Sequence, residues 1–227
     1  MMKEIVVRIG NEEKKIFFGT PNNSEEFDDM YRLRFRVYSH RGYIDTSQYP
    51  DQKEKDEYDR SGTTYLIAKI DNRIIGTARL IKDHYLPTEK DCFSFEEPKA
   101  MQLIPRDQRV ELGRLIVERY SSNQFLPRHL VMIGLFAVMI EYAKKAGIDG
   151  GYSFIKTSLA KKLSRLKFPF HIIEPHTQIY NKNTLKNYFE DKTDLVIPMF
   201  FLKNEIENFI NNFFSNKRYF VHDSSGG

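Results

Sequence analysis

Two oppositely charged side chains interrupt an otherwise apolar stretch from Arg109 to Glu118, which reads Arg-Val-Glu-Leu-Gly-Arg-Leu-Ile-Val-Glu. Segments rich in leucine and β-branched residues are typical of buried strands. In a strand covered on both faces an unpaired ion is costly, so Glu111 and Arg114 need partners or a cleft. A carboxylate beside a cleft can accept a proton from a bound molecule, which makes Glu111 a candidate general base.

Gly113 lies between these two residues and bears on the direction in which they point. Strand side chains alternate between faces, so Glu111 and Arg114, three positions apart, would point to opposite sides. A glycine inside a strand often marks a bulge, and one inserted residue would bring both side chains to the same side. We therefore predict a bulged, splayed central strand. The alternative is a surface edge strand with incidental charges.

Further charged residues lie where apolar ones are expected. Arg34 falls on the apolar stripe of a predicted helix, and Arg79 lies near the end of a predicted strand. A guanidinium directed towards the core requires carboxylates, and the next acidic cluster contains Glu54, Asp56, Glu57 and Asp59. This set could be a purely structural ion network. We expect it also to orient a long loop, residues 39–60, over a substrate site.

The composition is that of an ordinary globular protein. The 227 residues are 41% hydrophobic and 29% charged, with 18 Phe and 13 Tyr but no Trp. A net charge of +4 is too small to indicate nucleic-acid binding. The single cysteine, Cys92, precludes an internal disulfide, and the N-terminus lacks the apolar core of a signal peptide, so we expect a cytoplasmic protein. The longest apolar run, Leu130 to Ile140, predicts a buried helix and no transmembrane segment.

The order of predicted elements indicates an α/β fold. The elements are a hairpin at 4–18, a helix after residue 23, a hairpin at 63–81, the central strand, a helix from 127 or 128 to 145, a strand at 151–155, a helix at 157–166, strands at 171–174 and 195–202, and a helix at 205–214. This order predicts a mixed, mostly antiparallel sheet with helices on both faces. We expect a single domain over residues 1–221 and a disordered tail at 222–227.

Four charged motifs in this order and spacing resemble the acyl-homoserine-lactone (autoinducer) synthases. They are Leu-Arg-Phe-Arg-Val-Tyr (33–38), Glu-Lys-Asp-Glu-Tyr-Asp (54–59), Ile-Gly-Thr-Ala-Arg-Leu (75–80) and Val-Glu-Leu-Gly-Arg (110–114). They look still closer to the N-acyl amino acid synthases and exosortase-associated acyltransferases. All belong to the GNAT superfamily of N-acyltransferases. The resemblance implies a GNAT fold and transfer of a fatty acyl group from the phosphopantetheine thioester of acyl carrier protein to a small-molecule amine, with no bound cofactor.

The resemblance also implies a role for each residue that matches a family motif. Glu111 and Arg114 match the family's carboxylate and arginine pair and would be catalytic. The residues implied to bind substrate are Arg34, Tyr38, Glu54, Asp56, Asp59 and Arg79. We add Tyr43 to these as a predicted substrate-binding residue, although it matches no family motif.

Two departures from the family bear on the substrates. The lactone synthases have a tryptophan that helps to form the S-adenosylmethionine site; this chain has none, and Tyr43 is the nearest substitute. The acetyl-CoA enzymes have a glycine-rich loop before the long helix, where this chain has residues 119–127 without glycine. We therefore favour a free amino acid over S-adenosylmethionine as acceptor, and carrier protein over CoA as donor.

Three classes of function remain open. We predict an N-acyltransferase that makes an N-acyl amino acid; its alternative is an autoinducer synthase that uses S-adenosylmethionine. A CoA-dependent GNAT acetyltransferase and a noncatalytic acyl-binding module are the other two classes, and the intact Glu111 and Arg114 argue against the last. Neither the acyl length nor the oligomeric state follows from the sequence.

Other residues have less specific signals. Four lysines, Lys144, Lys145, Lys161 and Lys162, could dock an acidic carrier protein or simply form a solvated surface. Four residues of the long helix, Met132, Leu135, Phe136 and Met139, could border an acyl tunnel, although core packing is the simpler interpretation. The histidines lack metal-ligand spacing, so we expect no metal site. We interpret Cys92 as structural or incidental.

Overall fold

The computed structural model describes residues 2–9, 12–118, 128–215 and 220–223. Its strands are β1 (Met2–Ile9), β2 (Glu12–Gly19), β3 (Thr64–Ile70), β4 (Arg73–Ile81), β5 (Phe93–Phe95), β6 (Arg109–Val117), β7 (Gly150–Lys156), β8 (His171–Ile172), β9 (His176–Gln178), β10 (Val196–Leu202) and β11 (Phe220–Asp223). Within the described residues, nine strands form one sheet in the order β11-β1-β2-β3-β4-β6-β7-β10-β8, and β5 pairs with β9. The strand pairs are antiparallel except that β6 and β7 run parallel.

Helices cover both faces of the large sheet. They are α1 (Ser24–His40), α2 (Lys99–Gln102), α3 (Arg128–Ala146), α4 (Thr157–Arg165), α5 (Lys186–Glu190) and α6 (Lys203–Ser215), with a short π-helical turn at Thr88–Cys92. The side chain of Asn23 accepts a hydrogen bond from the backbone N–H of Glu26 at 2.9 Å, so α1 begins at the capping residue that the sequence suggests. No helix in the described part of the chain has the length and apolar character needed to cross a membrane.

Successive residues of β3 show how the two faces are divided. Tyr65 belongs to a buried cluster with α1, whereas Leu66 belongs to the main core around α3. The middle of α3, Leu130 to Ile140, is apolar on all sides, as suits a helix that packs between the sheet and α6. Gly134 is required within it, since a Cβ there would lie 2.3 Å from the ring of Phe18.

The central strand β6 contains a bulge, but the bulge is one residue later than we predicted. Arg114 and Leu115 of β6 lie opposite a single residue of β4, Ala78. Arg114 adopts the left-handed conformation, with φ of +53°, whereas Gly113 does not have a positive φ. A side chain in this conformation costs about 1 kcal/mol or more, so contacts of the Arg114 guanidinium must hold the bulge.

Next to this bulge, β6 and β7 separate. The two strands pair only where Arg109–Glu111 meet Gly150–Tyr152. A Cβ at Gly151 would lie 2.0 Å from the carbonyl oxygen of Val110, so glycine allows the strands to meet there. Beyond this point cavities fill the space between the strands, and Glu111 and Arg114 line the same one. The predicted separation of the central strand from its neighbour, with Glu111 and Arg114 on the same side, is confirmed. The alternative of an edge strand is wrong, because β6 has a neighbouring strand on each side.

The structure confirms the predicted α/β class and the mostly antiparallel sheet. It adds β5, β9, α2 and α5, short elements in segments that have no clear periodicity. Residues His222 and Asp223 belong to β11, which pairs with β1, so the predicted disordered tail does not begin at residue 222. Residues 224–227 lie outside the described part of the chain, as does the loop 119–127 on which the donor prediction depends.

Candidate active site

Three arginines and three carboxylates form a closed ring between α1, β4, β6 and the loop before β3. The members, which we call the ion ring, are Arg34 on α1, Glu54, Asp56 and Asp59 in the loop, Arg79 on β4 and Arg114 on β6. All six were predicted from the sequence as site residues, and the structure brings them together. The ring therefore fixes the loop to the central strands.

Each arginine in the ring binds two carboxylates. Arg34 binds Asp59 through two hydrogen bonds of 2.8 and 2.7 Å, and its Nε donates to Glu54 at 2.5 Å. Arg79 binds Asp56 in the same two-bond manner, at 2.6 and 2.9 Å, and Asp59 at 3.1 Å. Paired geometry of this kind suits the planar guanidinium, which offers its N–H groups in parallel.

Arg114 closes the ring from the bulge of β6. It donates to Glu54 at 2.8 Å and to Asp56 at 2.6 Å, and its guanidinium lies over the ring of Tyr38. These contacts are the ones that hold Arg114 in its left-handed conformation. The sequence could indicate a bulge but not its position, because the position depends on partners about 60 residues away in the chain.

Burial makes the ion ring rigid. The side chains of its six members are at most 7% exposed, and their formal charges sum to zero. Burial by itself would raise the pKa of Asp59, but the hydrogen bonds and charge of Arg34 outweigh it, so the pKa lies below its ordinary value. The pKa of Asp56 is likewise lowered, because Arg114 and Arg79 outweigh the effect of burial.

Most hydrogen-bonding groups of the ion ring already have partners within the ring, so few remain to bind a substrate. Arg34 is completely buried and lines neither of the two cavities described below. Among the described residues, one buried side-chain donor lacks a partner, the Nε of Arg79. Arg79 lines the same cavity as Glu111. Of the three arginines in the ring, Arg79 alone keeps a buried side-chain nitrogen without a partner among the described residues.

Glu111 lies on β6 immediately before the strands separate, and its side chain is almost fully buried. Its carboxyl accepts hydrogen bonds from the backbone N–H of Thr88 at 3.2 Å and from the Thr88 hydroxyl at 2.7 Å. Burial raises its pKa to about 7, although both Thr88 hydrogen bonds and the charge of Arg79 act in the opposite direction. A carboxyl with this pKa can exchange protons near neutral pH.

Glu111 and three members of the ion ring line a cavity that we call the polar cavity, after the charged side chains in its wall. Its lining comprises Asp56, Glu57, Tyr58, Arg79, Ile81, Pro87, Asp91, Cys92, Glu111, Gly113, Arg114, Phe154, Tyr180, Lys182, Thr184 and Leu185. The enclosed free volume is about 30 Å³, which is enough for water. A larger substrate must extend to the open rim.

An apolar cavity lies on the other side of Arg114, between the separated strands. It is lined by Tyr38, Leu112, Leu115, Ile155, Leu159, Leu163, Phe170 and Tyr188, among others, and it shares Gly113, Arg114, Phe154 and Leu185 with the polar cavity. Leu112 and Leu115 also line a small gap under α3, together with Leu135, Phe136 and Met139. Three of the four predicted tunnel residues therefore border this gap, whereas Met132 packs in the core.

Two tyrosines predicted to bind substrate pack against each other near the apolar cavity. Tyr38 lines the cavity, whereas Tyr43 does not. The ring of Tyr43 packs edge-on against Tyr38 and Tyr188 and lies near the ammonium of Lys156. Tyr43 therefore supports the wall of the cavity and does not form it.

The four lysines predicted to dock a carrier protein differ in their surroundings. Lys144 forms an ion pair of 2.6 Å with Glu207. Lys145, Lys161 and Lys162 are exposed. The last two lie on α4, the helix whose Leu159 and Leu163 line the apolar cavity.

The sequence interpretation missed four residues in or beside the polar cavity. Thr88 is buried and binds Glu111 from behind the cavity lining, and Tyr58, Asp91 and Lys182 meet at the rim. Their segments have no helical or strand periodicity, and Lys182 is more than 90 residues from its partner Asp91. Tyr58 alone lies within a motif that the sequence analysis singled out.

The chain is similar to known proteins over most of its length. The model of the autoinducer synthase family matches residues 20–195. An acyl-homoserine-lactone synthase of Aliivibrio fischeri is 32% identical over 166 residues, which are 71% of this chain and 82% of the relative. The range matched by the family model contains the residues of the ion ring and Glu111.

Solved structures support the fold. The acyl-homoserine-lactone synthase LasI superposes with a TM-score of 0.62 at 13% identity, covering 87% of this chain and 94% of its own. FeeM, an N-acyl amino acid synthase from uncultured soil microbes, gives a TM-score of 0.55 at 16% identity, over 86% of this chain and 94% of its own. The family match and these likenesses establish an acyltransferase architecture, and the chain belongs to the autoinducer synthase family.

Proposed function

We propose that the protein is an acyl-homoserine-lactone synthase that acylates the α-amine of S-adenosylmethionine. The observation that carries this proposal is Glu111, a buried carboxyl with a pKa near 7 on the wall of a cavity beside the ion ring. The relatives of highest listed identity are lactone synthases, which favours this acceptor over the free amino acid that the sequence had led us to prefer.

Glu111 supplies the proton transfer that the reaction needs. An amine attacks a thioester only when it is neutral, so a base must remove a proton from the ammonium form or from the adduct. The carbonyl carbon then forms an amide bond with the nitrogen, and the phosphopantetheine thiol leaves with its bonding electrons and a proton. The acceptor's carboxylate oxygen next attacks its own γ-carbon, which closes the lactone and displaces methylthioadenosine.

The separated strands provide the place for the donor. An acyl chain entering between β6 and β7 would meet the apolar cavity, with the small gap under α3 as an extension of it. The thioester would then lie near Arg114, which borders both cavities, with the acceptor amine on the Glu111 side. This arrangement supports a fatty acyl phosphopantetheine thioester as the donor.

The surface of α4 supports acyl carrier protein as the carrier of that donor. Lys161 and Lys162 are exposed on the helix that lines the apolar cavity, so an acidic partner bound there would be close to the entrance. Acyl-CoA presents the same thioester chemistry. A comparison of the two donors at increasing salt separates them, because docking of an acidic protein weakens as salt rises.

A second candidate is an N-acyl amino acid synthase. The observation that favours it is the absence of tryptophan from the chain, together with a Tyr43 that lies behind the cavity wall. A smaller acceptor would need less space than S-adenosylmethionine. It would use Glu111 in the same way but release no methylthioadenosine.

The deciding experiment supplies purified protein with long-chain acyl carrier protein and either S-adenosylmethionine or a mixture of amino acids. We expect methylthioadenosine and an acyl lactone in equal amounts, measured by mass spectrometry. The Glu111→Gln variant is the matched control. An acylated amino acid without methylthioadenosine would replace our proposal with the second candidate.

A further inference from the structure

The ammonium of Lys182 lies in a small cation site at the rim of the polar cavity. Its Nζ is 2.7 Å from a carboxylate oxygen of Glu57 and 2.9 Å from one of Asp91. The same atom lies 5.4 Å from the centre of the Tyr58 ring. Two carboxylates and an aromatic face are the groups that bind organic cations. We call Glu57, Tyr58 and Asp91 the cation box.

The cation box is continuous with the catalytic cavity. Its three residues and Lys182 line the same cavity as Glu111 and Arg79. The Tyr58 hydroxyl donates a hydrogen bond to Asp91 and so orients that carboxylate. Within the same cavity the buried Nε of Arg79 has no partner among the residues that the structure describes, and an oxygen atom of a ligand could accept its hydrogen bond. The cavity therefore offers an anionic box at the rim and an unused donor deeper in.

Lys182 can leave the box, whereas the arginines of the ion ring cannot leave the ring. The side chains of Lys182, Glu57 and Asp91 are 34%, 49% and 14% exposed, so water screens these ion pairs in part. The arginines of the ring are at most 4% exposed. An acceptor as large as S-adenosylmethionine exceeds the enclosed free volume and must reach the rim, where Lys182 is less firmly held than the ring arginines.

We propose that the cation box binds the sulfonium of the acceptor, and that Lys182 occupies the box until the acceptor displaces it. This inference rests on the proposed function, because S-adenosylmethionine carries a sulfonium and a free amino acid does not. A sulfonium has no N–H group to donate, so it is recognised by charge and by an aromatic face. Displacement of Lys182 exchanges one cation for another and at the same time opens the rim.

The direction in which the KM for S-adenosylmethionine changes when Lys182 is replaced distinguishes this inference from other roles of Lys182. Lys182→Met removes the competing ammonium and keeps a side chain of similar length. We expect the KM for S-adenosylmethionine to fall by about threefold to tenfold. Glu57→Gln removes one charge from the box and should raise that KM by a similar factor. If Lys182 instead bound the acceptor's carboxylate, Lys182→Met would raise the KM.

A binding experiment tests the box without turnover. Calorimetry measures the affinities of S-adenosylmethionine and of S-adenosylhomocysteine, its neutral thioether counterpart, for the wild type and both variants. We expect the preference for the sulfonium to increase in Lys182→Met and to decrease in Glu57→Gln. Lys186→Met, which removes an exposed lysine paired only with Glu190, is the control.

The outcomes separate this inference from the proposed function. The cation box alone would be overturned if the wild type releases methylthioadenosine but the preference for S-adenosylmethionine over S-adenosylhomocysteine is the same in the wild type and in both variants. A weaker affinity of Lys182→Met for S-adenosylmethionine would also overturn it, in favour of a carboxylate-binding lysine. A wild-type protein that acylates amino acids and releases no methylthioadenosine would overturn the proposed function.

Discussion

Replacing Glu111 by glutamine should make the protein more stable at alkaline pH while removing its activity. The folded pKa of Glu111 is about 7, against an ordinary value of 4.5. The folded state therefore holds this proton more tightly than the unfolded chain does. The wild type consequently loses stability as the pH rises from about 4.5 to about 7 and stays at the lower value above that pH.

The size of this loss follows from the two pKa values. A difference of about 2.5 pH units, at about 1.4 kcal/mol each, corresponds to about 3 kcal/mol in the free energy of unfolding. Glutamine does not ionise, so Glu111→Gln should not show this loss. The stability of the variant relative to the wild type should therefore increase by about 2 to 3 kcal/mol between pH 5 and pH 8.

Urea unfolding at pH 5 and pH 8 measures this difference, with Glu174→Gln as the control because Glu174 is exposed. Turnover of Glu111→Gln should fall by roughly 100-fold, and wild-type kcat/KM should rise as the pH passes through about 7. If the free energies of unfolding of wild type and variant change in parallel between pH 5 and pH 8, Glu111 is not a buried carboxyl with a raised pKa. Turnover within a few-fold of the wild type would refute its role as the base.

Three further predictions concern the ion ring, the docking surface and the apolar cavity. Asp59→Ala leaves a buried guanidinium without its paired acceptor and should lower the free energy of unfolding, measured in urea, by about 3 to 5 kcal/mol. The control Arg32→Ala breaks a half-exposed pair and should lower it by less than about 1 kcal/mol. Charge reversal of Lys161 and Lys162 to glutamate should raise the KM for acyl carrier protein, and the difference from wild type should shrink as salt rises; an unchanged KM would place docking elsewhere. Leu159→Phe should lower kcat/KM for long acyl donors relative to short ones, because Leu159 lines the apolar cavity, and an unchanged ratio would show that the chain lies elsewhere.

Much of the candidate site could be recognised from the sequence because its residues violate local expectation. Arg34, Arg79 and Arg114 lie on apolar elements, and a buried guanidinium has to be paired, so a network with the acidic cluster was a physical necessity. The sequence did not show which carboxylate binds which arginine, since several carboxylates lie close together in the chain. The structure assigns them through paired hydrogen-bond geometry.

The rim of the polar cavity could not be recognised in this way. Thr88, which is buried beside Glu111, and Lys182, which lies at the rim, are polar residues in segments without periodicity, and nothing in the local sequence distinguishes them. Their importance arises from contacts with Glu111 and Asp91, which are distant in the chain. Polar residues in loops acquire their neighbours only when the loops pack.

The class of fold, the central strand and the need to pair the charged residues follow from the sequence, because periodicity and the cost of burying charge are local properties. The folded structure was needed to place the bulge at Arg114 and not at Gly113, and to show that Tyr43 lies behind the cavity wall. The contacts of the Arg114 guanidinium with Glu54 and Asp56 offset the cost of its left-handed backbone. The position of a bulge is a balance between local strain and distant partners, and a sequence shows only the first of these.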